Sequence, residues 1–172
     1  GVVLVAAAGN DAYGYYQIPF NQWPAMYSNV IAVSAVDSDD EFVTEFNYGS
    51  FIDVAAGGWN ILTLDDDSVS DTAWVSGTSF ATPMVSGIAA LVLAYNPDFS
   101  PEEVKSFIVN SAEKVGQYSY TDGRNNYLGY GRVNANGALV LARGWGNIDY
   151  HQVWAKDMTI VGKKAGDPAG LK

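Results

Sequence analysis

The chain contains no cysteine, so disulfides and cysteine-bound metals play no part, and the redox compartment is left open. Positive charge is scarce. Nine Lys and Arg face 19 Asp and Glu, giving a net charge of −10 and a pI near 4.2, which argues against nucleic acid as a partner. No apolar run reaches the ~18 residues of a membrane span. There is no Asn-x-Ser/Thr sequon, no initial methionine and no visible signal peptide. Histidine is almost absent, with His151 its one occurrence. What is present suffices for a folded domain: 172 residues, 48% hydrophobic and 16% charged, which excludes a disordered chain.

Val2 to Ala8 is a continuous apolar run, the pattern of a strand buried on both faces of a parallel sheet, and Gly9-Asn10 ends it. The chain thus opens inside a core strand, and it is expected to be a fragment or one chain of a processed protein. Val30 to Val36 and Phe51 to Ala56 read as two further buried strands, ended by Asp37 and Gly57. Ile61 to Val75 suits a hairpin with Asp65-Asp66-Asp67 at its tip. After Ser79 the spacing of Ala81, Val85, Ile88, Ala89, Val92 and Leu93 predicts a helix to about Tyr95. Ala90 and Leu91 extend its apolar surface almost all round, so burial on every side is expected. Ser100-Pro101-Glu102-Glu103 has the form of a capping box and starts a helix reaching about Ala112. Asn134 is placed to cap a last helix over 135–143. No internal repeats are evident.

The segment richest in chemical meaning is Gly77-Thr78-Ser79-Phe80-Ala81-Thr82-Pro83, at the start of the long apolar helix. A helix start offers unpaired N–H groups and a partial positive charge, which would stabilise a forming oxyanion. Taken alone, a serine there is an N-cap. The longer segment resembles the catalytic-serine motif of the subtilisin-like serine proteases (subtilases, peptidase S8 type). Gly1 to Asn10, with its Ala7-Ala8-Gly9-Asn10 ending, resembles the subtilase segment that closes on the oxyanion-hole asparagine. The resemblance implies an α/β fold, a subtilisin-like three-layer αβα arrangement with a mostly parallel sheet, of which only the C-terminal half is present. It covers residues 1–143. Residues 144–172 form a tail, a terminal strand or a linker to a further domain.

The implied activity is serine endopeptidase chemistry through an acyl-enzyme at Ser79, with Asn10 in the oxyanion hole. The family order is Asp, His, Ser. No histidine precedes Ser79, so the triad Asp and His are expected upstream of this chain, and the isolated chain is expected to be nearly inactive. His151 lies in the tail, in the wrong order, and reads as a surface histidine. Phe80 stands where many subtilases carry Met, and Met84 where a histidine other than the triad base is common. Ala7, Ala8 and Gly9 resemble the floor of the pocket for the residue before the scissile bond, and Gln22 a pocket wall. The backbone carbonyls of Ala25, Tyr27 and Val30, with Asp53 nearby, match a weak Ca²⁺ or Na⁺ site; an empty loop is the alternative. The acidic run Asp65 to Asp67 reads as a solvated turn. Expected partners are protein or peptide substrates and the missing N-terminal half of the domain. Secretion follows from the resemblance. A non-catalytic peptide-binding half-domain, or an acyl hydrolase of another type using the same serine, stays open.

Overall fold

The computed structural model describes residues 1–12, 22–64 and 72–144. Three apolar stretches form one parallel sheet in the order of the chain: β1 (Leu4–Ala7), β2 (Val30–Val36) and β3 (Val54–Gly57). Leu4 pairs with Val30 and Val33 with Val54, so the strands' carboxyl ends lie on one side. β2 is central and every one of its residues is buried. Each of its buried Val and Ile side chains stabilises the fold by about 1.5–3 kcal/mol.

Two expectations about these strands change. β1 is shorter than Val2 to Ala8 and is not buried on both faces: Val2 is 76% exposed and Leu4 45%. It pairs only with β2 among the described residues, so it is an edge strand, while its all-apolar sequence is that of an interior one. β3 begins at Val54 rather than Phe51, because the Ile52 N–H donates to Gly49 O and the chain is still turning there.

The hairpin forms as β4 (Ile61–Leu64) and β5 (Thr72–Val75), antiparallel. Its acidic tip, Asp65 to Asp67, lies outside the described residues. Helix α1 (Thr78–Tyr95) lies against all three strands of the parallel sheet, burying Thr78, Ala81, Val85, Ile88, Ala89 and Val92. The expected all-round burial is not found. Met84, Leu91 and Tyr95 are half exposed, because the sheet and the other two helices cover one side of α1 and leave the other to solvent. The residue pattern is that of a helix covered twice; the described residues cover it once.

Helix α2 (Pro101–Asn110) starts with the full capping box: Glu103 N–H donates to Ser100 Oγ, and Ser100 N–H donates to the Glu103 carboxylate at 2.7 Å. It ends before Ala112. Helix α3 (Ala135–Gly144) is capped by Asn134, whose Oδ1 accepts the Gly137 N–H at 2.8 Å. The three described helices form one mutually packed group. Arg132, just before α3, pairs with Glu113 beyond the end of α2 and with Asp40 in the turn after β2, and these hydrogen bonds raise its pKa above the ordinary value. The result is an α/β fold whose parallel strands point their carboxyl ends toward the start of α1.

Candidate active site

The site is built where β1 ends. Gly9 has φ +98°, a backbone conformation that disfavours any side chain, and a Cβ there would run into the Asn47 amide. Asn47 grips this turn at three points. Its Nδ2 donates to Ala8 O at 3.1 Å, its backbone N–H donates to Gly9 O at 2.9 Å, and its Oδ1 accepts the Asp11 N–H at 2.9 Å. The chain leaving the strand is therefore fixed on both sides of Asn10.

Asn10 reaches from this turn to the start of α1, 68 positions along the sequence. Its Oδ1 accepts the Thr78 N–H at 2.9 Å and the Thr78 hydroxyl at 3.0 Å. The Thr78 Oγ1 in turn accepts the Gly9 N–H at 3.0 Å. Thr78 is wholly buried. Both oxygen positions of this exchange are used by the protein, which leaves the Asn10 Nδ2 group, on an exposed residue, without a partner among the described residues. An amide held by its oxygen with its N–H₂ free is a donor waiting for an acceptor.

Ser79 is the second residue of α1 and is exposed. It is not an N-cap. That position is Gly77, which makes no side-chain cap, and the capping acceptor is the distant Asn10. Thr78 N–H goes to Asn10 and Phe80 N–H to Gly77 O at 3.0 Å; between them, the Ser79 N–H has no partner among the described residues. Gly77 allows this approach: a Cβ there would lie 3.2 Å from Asn10 Nδ2. Gly58 allows the next layer, since its Cβ would meet Ala35 Cβ at 2.6 Å and Gly77 O at 2.8 Å. At this end α1 thus presents a hydroxyl, a free N–H and the positive end of the helix dipole together, with the Asn10 amide beside them.

The remaining sequence-predicted residues fall as follows. Ala8 is wholly buried and Ala7 half-buried. Gln22 lies against Gly9, 3.0 Å from where a Cβ would be, and its Nε2 donates to Asp11 at 3.4 Å. Tyr27, Val30 and Asp53 lie together at the opposite, amino end of β2, away from Ser79 along the strand, and Ala25 is buried. His151 lies outside the described residues. Sequence reasoning missed Thr78 and Asn47 as the residues that orient Asn10. Thr78 could have been found, since it sits inside the Gly-Thr-Ser motif. Asn47 sits in a loop with no local signal.

The geometry is matched by sequence. The model of the Subtilase family (peptidase S8) matches residues 1–131. Halolysin of Haloferax mediterranei is 40% identical over 144 residues, 84% of this chain and 25% of that protein. The halolysin-like extracellular serine protease Nep of Natrialba magadii is 35% identical over 139 residues, 81% of this chain and 23% of that protein. A solved protease from Pseudoalteromonas arctica superposes with a TM-score of 0.69 at 29% identity, covering 83% of this chain and 43% of that one. This chain is a member of the subtilase family, and its fold is subtilisin-like. It spans about a quarter of the length of these two curated relatives.

Proposed function

We propose that this chain is the nucleophile-bearing part of a secreted serine endopeptidase. The observation that carries the reading is the arrangement of the Asn10 amide and the Ser79 N–H and hydroxyl at one helix start. Ser79 Oγ attacks the scissile carbonyl carbon and gives its proton to a histidine supplied by the preceding part of the catalytic domain. The carbonyl oxygen becomes an oxyanion, which accepts hydrogen bonds from Asn10 Nδ2 and the Ser79 N–H, with the α1 dipole behind them. The C–N bond breaks, the amine leaves with the proton, and water then hydrolyses the Ser79 ester. Without that histidine and its aspartate, Ser79 has ordinary hydroxyl reactivity, so the chain alone is nearly inert. The name of the Natrialba magadii relative supports an extracellular setting.

Thr78 is the positioning residue of this site. Thr78→Val in the full-length protein removes the hydroxyl's hydrogen bond to Asn10 and the acceptor of the Gly9 N–H, leaving the Thr78 N–H as the remaining bond that aims Asn10. It should lower kcat about tenfold, the worth of one hydrogen bond, with KM little changed. Thr78→Ser should restore most of the loss. A merely structural role would lower the thermal stability of Thr78→Val and leave kcat of the folded enzyme alone.

Phe80 carries a second expectation. A thioether at that position, next to the nucleophile, is the group peroxide would oxidise, and here it is a ring. Met84 is 43% exposed and lies further along the helix. Peroxide should add oxygen to Met84, seen by mass spectrometry, while peptidase activity persists. A Phe80→Met variant should lose activity under the same treatment.

The reading as a whole is tested by hydrolysis of a peptide anilide and of the matching ester by the full-length protein. Turnover of both supports the peptidase. Turnover of the ester alone would make it a different acyl hydrolase, and binding of peptide without turnover would make it a binding module.

A further inference from the structure

The amino end of β2 holds a charge that the site at Ser79 does not use. Lys105 of α2 extends its ammonium to Val30 O at 2.8 Å, Ser28 O at 3.1 Å and Asp53 Oδ2 at 2.8 Å. An ammonium has three N–H donors, and here all three have acceptors. Asp53 Oδ2 also accepts the Ala32 N–H at 2.9 Å. The pair is only partly open to solvent, with the Lys105 side chain 23% and the Asp53 side chain 17% exposed.

Two main-chain carbonyls and a carboxylate converging on one point make an all-oxygen donor set, the chemistry that binds Na⁺ or Ca²⁺. The family resemblance implies a weak cation site from Ala25, Tyr27 and Val30 with Asp53 nearby. The residues present do not fit a metal. Val30 O and the Asp53 carboxylate are held by the ammonium, and Tyr27 O accepts the Val30 N–H at 3.0 Å. A metal ion at this centre would face a tethered like charge in contact with the same oxygens.

We propose that Lys105 is a built-in replacement for a metal ion, joining the start of β2, the residue before β3 and α2 through one covalently attached cation. The lysine is well placed for this. It lies two residues beyond Glu103, and the capping box around Ser100 fixes the first turn of α2. A tethered cation is not lost to chelators or diluted away, so this corner of the fold owes nothing to the ionic composition of its surroundings. The inference does not depend on catalysis.

The test compares the full-length protein with its Lys105→Met variant, which keeps most of the side-chain bulk and deletes the charge. Melting temperatures are followed against CaCl₂ or NaCl, with choline chloride holding ionic strength constant. Cation sites elsewhere in the protein act on both forms and cancel in the difference. At low cation the variant should melt several degrees lower. The gap should close saturably with Ca²⁺ or Na⁺ and not with choline, because the vacated oxygens then take a metal. Adding Asp53→Asn to Lys105→Met should abolish that rescue. If Lys105→Met does not fold, Lys105→Gln serves, since its amide donates to a carbonyl without supplying charge. A gap that stays constant with every salt would reduce Lys105 to an ordinary ion pair and overturn the proposal. So would Ca²⁺ or Na⁺ stabilisation of the unaltered protein that disappears with Asp53→Asn, since the metal would then bind beside the lysine.

Discussion

Replacing Ser79 with alanine in the full-length protein should reduce kcat by about 10⁶-fold, a magnitude measured in subtilisin, a member of this family. The reason is local. Ser79 is exposed at the start of α1, whereas Thr78 beside it is buried with its oxygen committed to Gly9 and Asn10, Ser76 Oγ accepts the Asn60 N–H and Thr82 Oγ1 donates to Thr78 O. The variant should fold normally, because the Ser79 side chain caps nothing and makes no hydrogen bond among the described residues. Unchanged melting with lost turnover, measured on the same preparation, separates a chemical role from a structural one. A small residual rate should survive, since Asn10 and the helix start still stabilise an oxyanion formed by attacking water.

The second largest effect belongs to Asn10. Asn10→Ala should cost about 10²–10³ in kcat, again a magnitude known from subtilisin. Here the structure adds something beyond the rate. Asn10 Oδ1 is also the acceptor that satisfies the first N–H of α1, so the alanine variant should lose helix-cap stability of about 1 kcal/mol as well. Asn10→Asp divides the two roles. A carboxylate keeps the acceptor toward Thr78 and favours the positive helix end, so stability should be retained. It removes the donor and places negative charge where the oxyanion forms, so activity should fall at least as far as in the alanine variant. Melting temperature and kcat measured on both variants check this. Equal losses of stability in the two would mean that Asn10 does not cap α1 as seen here.

How much of this was legible in the sequence differs from element to element. Val30 to Val36 was readable to the residue, because a run of β-branched and small apolar residues between Asn29 and Asp37 has no other use. The capping box at Ser100 and the Asn134 cap were readable because they are short-range devices, complete within four residues. The environment of β1 and of α1 was not. Residue type reports what an element is meant to be buried in, and both are apolar on sides that the described residues leave exposed. Ser79 and Asn10 were legible as candidates through their motifs. The means by which the fold aligns them was less so: Thr78, which bridges Gly9 to Asn10, sits inside the motif but acts across 68 positions, and Asn47, which clamps the turn, has no local signal at all. The same holds for Lys105. In sequence it is one lysine on an amphipathic helix, and only the fold brings it to Val30 O and Asp53.

An activated Ser79 in the assembled protein should react with a reagent selective for nucleophilic serines. The most direct measurement is to treat the full-length protein with a fluorophosphonate, digest it and locate the adduct by mass spectrometry. Modification at Ser79, absent in Ser79→Ala and strongly slowed in Asn10→Ala, is the predicted result. An intact, folded protein in which Ser79 stays unmodified, or in which another residue carries the label, would contradict the account.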